Sequence, residues 1–116
     1  MSASDWPRQQ PLNIPGGADY ILSVSFTDES NNPINISTPE MQIRLTNSQS
    51  GTLLLTPTFA VSSNTVTVTV AGSSTQGYTA VQKGYYDLFA TRTDNGERVK
   101  LLYGQVTVTQ PVTALV

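Results

Sequence analysis

Thr65-Val66-Thr67-Val68-Thr69-Val70 alternates without interruption between a branched hydroxyl residue and a branched hydrocarbon. A period of two puts every Val on one face of an extended chain and every Thr on the other, the pattern of a strand with one buried and one wet face. Threonine favours extended backbone through its branched carbon and hydrates its face without charge. The same period recurs on either side of this stretch. Tyr20, Leu22, Val24 and Phe26 share one parity against Ser23, Ser25 and Thr27, with Ile21 as the exception. Met41, Ile43 and Leu45 alternate with Gln42, Arg44 and Thr46. From Tyr85 to Thr93, Tyr86, Leu88 and Ala90 face one way, and Tyr85, Asp87, Phe89 and Thr91 the other.

Turn chemistry separates these runs. Asp28-Glu29-Ser30-Asn31-Asn32-Pro33 follows the first, and Ile34-Asn35-Ile36 reads as a short strand ahead of Pro39. Asn47 to Gly51 closes the Met41 strand, and Thr52 to Phe59 is a weaker strand that Pro57 demotes to an edge or a bend. Gly72 to Lys83 lacks alternation and has room for one short helical turn at Ser73-Ser74-Thr75-Gln76. Asp94-Asn95-Gly96 predicts a tight hairpin, because Asn and Gly tolerate the positive φ such turns demand. On the return strand, Glu97 to Thr109, the apolar parity changes from Val99, Leu101 and Tyr103 to Val106 and Val108, which predicts a bulge around Gly104. Short strands with frequent turns imply an all-β fold, an antiparallel two-sheet immunoglobulin-like sandwich of about seven strands. The Cys pair of antibody domains is missing, and the one Trp lies outside the strands.

The chain divides into an extended arm over residues 1–17, a sandwich domain over 18–110 and a tail over 111–116. The arm holds Pro7, Pro11, Pro15 and Gly16-Gly17, a composition expected neither to form a helix nor to hold a regular ladder. Its apolar side chains, Trp6, Leu12 and Ile14, need a surface, which either its own sandwich or a neighbouring subunit offers. A role as tether predicts that the domain folds without the arm but no longer assembles. The uncharged tail, Val112 to Val116, is expected to add to a sheet edge, its own or a neighbour's.

Composition narrows the chemistry. The 116 residues include no Cys and no His, and 12% are charged against about 25% in ordinary domains. Ser and Thr therefore hydrate much of the surface. Without imidazole or thiol there is no Cys/His zinc site, no His base and no thiolate nucleophile, so the expectation is no enzyme, no cofactor and no metal. Six Lys and Arg against eight Asp and Glu, with a pI near 4.7, argue against nucleic acid. No apolar run approaches the roughly 20 residues of a membrane span, and the N-terminal sequence lacks the features of a secretory signal, so a soluble protein is expected.

The acidic loop at Asp28 has oxygen ligands but lacks the spaced carboxylates of a calcium loop, so it reads as a turn. Asp87 has no second carboxylate for glycoside hydrolysis and reads as an outward polar position. Asn35-Ile36-Ser37 matches the glycosylation pattern by chance. Arg92, Arg98 and Lys100 form a small basic strip that also suits solvated edge charges. Tyr85 and Phe89 face away from Tyr86 and suit either a sugar or a protein partner, since exposed aromatics serve both. Trp6, Leu12, Ile14, Tyr85 and Phe89 are thus the candidate partner-binding residues.

Gly84-Tyr85-Tyr86-Asp87-Leu88, the turn Asp94-Asn95-Gly96 and the return strand Val99 to Thr109, ending Gly104-Gln105-Val106-Thr107-Val108-Thr109, resemble the closing hairpin of small β-sandwich domains in tailed-bacteriophage tail and baseplate proteins. Gly17-Ala18-Asp19-Tyr20 running into Leu22-Ser23-Val24, and the strand Met41-Gln42-Ile43-Arg44, are similar to that family's opening strands. The tyrosine motif follows Gly84 by one residue fewer than usual. The resemblance spans about Gly17 to Thr109. It implies a non-enzymatic virion structural protein, a homo-oligomerising adaptor or decoration subunit that contacts other virion proteins after synthesis in the host cytoplasm. A carbohydrate-binding or adhesin-like surface module is the alternative.

Overall fold

The computed structural model describes residues 6–112, and it is a two-sheet β-sandwich. The elements are β1 (Arg8–Gln9), β2 (Leu12–Pro15), β3 (Tyr20–Ser25), β4 (Ile36–Arg44), β5 (Leu53–Leu55), β6 (Thr58–Ser62), β7 (Thr65–Val70), β8 (Gln82–Arg92) and β9 (Arg98–Thr109). The smaller sheet has the order β3-β7-β6, and the larger runs β1-β9-β8-β4-β5 with β2 also paired to β9. These are the B-E-D and G-F-C-C′ orders of an immunoglobulin-like sandwich. A single 3₁₀ turn, Gly72–Ser74, stands where one helical turn was expected.

The Thr-Val stretch behaves as its period requires. Val66, Val68 and Val70 are buried on β7, and the threonines between them face outward. β3 crosses it in full register from Tyr20 opposite Val70 to Ser25 opposite Thr65. Across the sandwich, Ile43, Leu88, Leu101, Val106 and Val108 fill the inner face of the larger sheet. The core is therefore built from the alternating positions of both sheets.

Several expectations need correction. The arm does hold a ladder: β1 and β2 both pair parallel with β9, Arg8 opposite Leu102 and Leu12 opposite Val106, so the larger sheet is mixed and not purely antiparallel. Prolines at positions 7, 11 and 15 flank or end these short edge segments, where a missing N–H is tolerated. The fold thus extends N-terminally of residue 18 into the arm. Leu12 and Ile14 are 2% and 1% exposed, core residues of their own domain and not available to a partner in this fold.

The bulge on β9 lies at Leu101, not at Gly104. Leu88 faces Leu102 while the next residue, Phe89, faces Lys100, so Leu101 is the extra residue, and both leucines turn inward. The apolar parity changes there, which sends Tyr103 to the outer face. Gly104 has a different reason to be glycine, since a Cβ at that position would lie 2.9 Å from the Gln10 carbonyl oxygen of the crossing arm. Ile34-Asn35-Ile36 and the Met41 run do not make separate strands; β4 passes through Pro39 by a register shift between Ser37 and Glu40, with Thr38 at φ 49°. At Pro57 the chain leaves β5 in one sheet and enters β6 in the other.

Candidate docking face

The outer face of the larger sheet collects the side chains that alternation turns away from the core. Antiparallel registry sets them in rows. Arg44 and Gln105 flank Tyr85, Gln42 and Tyr103 flank Asp87, and Glu40 and Lys100 flank Phe89. Directly opposed residues have Cβ atoms about 4.5–5.5 Å apart, so each row is a contiguous strip. The central members come from β8 and are half-buried by their neighbours.

Charged groups on this face engage its aromatics. The Arg98 guanidinium lies 3.8 Å above the Phe89 ring and its Nε donates a 2.8 Å hydrogen bond to Glu40 Oε1. Lys100 Nζ is 3.6 Å from Asp87 Oδ2 and 5.4 Å from the centre of Phe89. These ion pairs are half-exposed and contribute about 0–1 kcal/mol each to stability. What they do is hold long side chains over the rings, which preorganises the face. Beside Tyr85 the surface sinks into an open concavity of about 810 Å³, lined among others by Gln42, Arg44, Asn47 and Asp87. Arg44 is held there by donating to the Gly51 carbonyl at 2.8 Å.

Of the five candidate residues, only Tyr85 and Phe89 share a surface. Trp6 is taken up elsewhere, its ring edge-on to Phe26 at 5.2 Å and its indole Nε1 donating to the Thr27 carbonyl at 2.9 Å. Arg8 covers it at 4.0 Å, so Trp6 anchors the arm to its own domain. Sequence reasoning missed Glu40, Gln42 and Tyr103 as members of the face and left Arg98 and Lys100 as edge charges. Counting back from the Asp94-Asn95-Gly96 turn would place Arg98 and Lys100 near β8, but the bulge at Leu101 decides which way Tyr103 points.

The Asp28 loop is self-contained. Asp28 Oδ1 accepts from the backbone N–H of Ser30 and of Asn32, at 2.8 and 2.9 Å. Those bonds, the one from Asn32 foremost, hold its carboxyl below the usual carboxylate range. Arg92 does the same for Asp94 through a bidentate pair. Tyr86 lies beneath the docking face, where burial, with a smaller contribution from Tyr20, pushes its hydroxyl well above the usual phenol range; the hydroxyl donates to the Gln10 carbonyl at 2.6 Å. No group of three or more Asp or Glu side chains converges on a common point among the described residues.

No family model matches the chain, and no curated protein does. Among solved structures, a 2,6-sialyltransferase from Photobacterium sp. JT-ISH-224 of the Vibrionaceae aligns at 13% identity and a TM-score of 0.35. That alignment covers 92% of this chain and 18% of the enzyme, so the chain spans less than a fifth of that protein. A VGSC beta subunit, from a study of multimeric cell-adhesive interactions, aligns at 12% identity and a TM-score of 0.44 over 91% of this chain and 97% of its own. Both scores are too low to bear on what this chain does. The fold assignment rests on strand order and registry.

Proposed function

We propose that this protein is a non-enzymatic structural subunit of a tailed-phage virion, an adaptor or decoration protein that docks on neighbouring virion proteins through the outer face of its larger sheet. The observation that carries the reading is the preorganised row structure around Tyr85 and Phe89. Tyr and Arg dominate protein interface energetics when they are held rigid and ringed by polar groups. The resemblance of the β8–β9 hairpin to phage tail and baseplate sandwiches supplies the setting. With Trp6, Leu12 and Ile14 engaged at home, the arm no longer serves as the tether, and the docking role passes to the sheet.

The alternative, a carbohydrate-binding module, is favoured by one feature, the Tyr85 ring beside a concavity with Gln42, Arg44 and Asp87. Phe89 speaks against it, because Arg98 already occupies the ring face on which a sugar would stack.

Mass spectrometry of gradient-purified particles from cells carrying the gene tests the proposal. The chain is expected in the particles, and the Tyr85→Ala/Phe89→Ala variant is expected to incorporate at least about tenfold less while keeping its circular dichroism. Absence of the wild-type chain from the particles would overturn the virion reading, and specific binding on a glycan array, lost in Tyr85→Ala, would replace it with the alternative.

A further inference from the structure

Among the described residues the smaller sheet ends at β3, with no strand paired on its outer side. The Phe26 N–H donates to the Asn64 carbonyl at 2.8 Å, which fixes the hydrogen-bonding parity of the strand. Val24, Leu22 and Tyr20, two, four and six residues back, therefore bond β7, and the N–H and C=O groups of Ile21, Ser23 and Ser25 point to the side where no further strand pairs among the described residues. Side-chain burial tells the same story. Val66 and Val68 on β7 are fully buried, whereas Leu22 and Val24, on the same inner face one strand further out, are only half-buried. Both their residual apolar surface and the free backbone groups open on a cleft of about 360 Å³ between residues 22–25 and residues 8–10 of the arm.

The edges of the larger sheet are managed. β1 has two residues between Pro7 and Pro11, and β5 has three beside a register shift. β6, at the other end of the smaller sheet, has five residues and likewise no charge, but it begins just after Pro57, where the chain crosses over from β5. β3 has six residues with no Pro, no charge and no bulge, so it lacks the devices that normally blunt an edge.

We propose that β3 pairs antiparallel with β3 of a second copy of this chain, joining the two smaller sheets into one continuous sheet. The strand is its own complement. A two-fold axis through Ser23 sets Ser23 opposite Ser23 and Ile21 opposite Ser25 of the second copy, so that the outward backbone groups meet as pairs that exchange both N–H···O bonds. The same register brings Leu22 of each copy against Val24 of the other and covers the surface left half-open. No charge lies on the strand to oppose its own image, and Arg8, the cation beside the cleft, is turned onto the Trp6 ring at 4.0 Å. A six-residue edge is a small contact beside the about 800 Å² per partner of a standard complex, so a weak pair, in the micromolar range, is expected.

Sedimentation or light scattering of the full chain across that range tests this surface separately from the docking face. The wild-type protein is expected to move from the 12.5 kDa monomer to twice that mass as concentration rises. Ser23→Pro removes an N–H that β7 does not use, and is expected to weaken association at least about tenfold. Should that variant fail to fold, charge pairs read the register. Ile21→Lys/Ser25→Lys sets like charges opposite one another and is expected to give monomers, whereas Ile21→Lys/Ser25→Glu sets opposite charges there and restores the dimer. Tyr85→Ala/Phe89→Ala, on the other sheet, leaves the dimer intact. A monomeric wild-type chain, a dimer indifferent to both lysine substitutions, or one abolished by removing residues 112–116 would each overturn β3 pairing without touching the proposed docking face.

Discussion

Asp28 and Asp94 spend their acceptor capacity locally, and this gives the molecule an acid limb. Both carboxyls titrate below their ordinary range, Asp28 because of the Asn32 and Ser30 N–H groups and Asp94 because of Arg92. A folded-state pKa lower than the unfolded value of about 3.9 contributes stability that is complete above that value and is lost as pH falls through the folded pKa. The melting temperature is therefore expected to be level through the neutral range and to fall below about pH 4. In Asp28→Asn, which keeps an acceptor for the turn, the fall should be shallower; an unchanged acid limb in that variant would show that the loop contributes nothing to it. The loop was legible as a turn from its residue types, because Asp and Asn bond nearby backbone whatever surrounds them. The role of Gly104 was not, since its neighbour is Gln10, far away in sequence.

At the scale of elements, the strands with strict alternation were legible and the arm was not. β3, β7 and β8 follow a period of two; β7 and β8 bury the face their sequence marks, and β3 half-buries it. The arm shows only Leu12 and Ile14 at a spacing of two among prolines, too little to distinguish a tether from an edge strand. Pairing with β9 settles it, because Val106 and Val108 give both side chains a buried site. Leu12→Ala is accordingly expected to lower unfolding free energy by about 2–5 kcal/mol in urea titration, the range for emptying a packed leucine site. A loss under about 0.5 kcal/mol, typical of surface positions, would return the arm to the status of an appendage. Deletion of residues 1–17 is by the same reasoning a test of folding before it is a test of assembly.

At the scale of the whole molecule, the arm ties the two sheets together. Trp6 is the one tryptophan; it bonds the Thr27 carbonyl just beyond β3, while β1, two residues later, pairs with β9 of the other sheet. Tryptophan fluorescence and far-UV circular dichroism are therefore expected to report one coincident urea transition, as a two-state unit requires. A fluorescence change that preceded the loss of sheet would mean that the arm peels away first. The sequence by itself determined the class of fold, the principal strands, the hairpin at Asp94-Asn95-Gly96 and the poverty of charge, because period and turn chemistry act over a few neighbouring residues. Only the tertiary structure decided that the arm belongs to the sheet, that the bulge lies at Leu101, that Arg98 and Lys100 meet Phe89, and that β3 has, among the described residues, β7 on one side and no strand on the other. Each of those depends on which distant backbone lies alongside, and strand pairing across the chain is set by the joint burial of both sheets and not by any one segment.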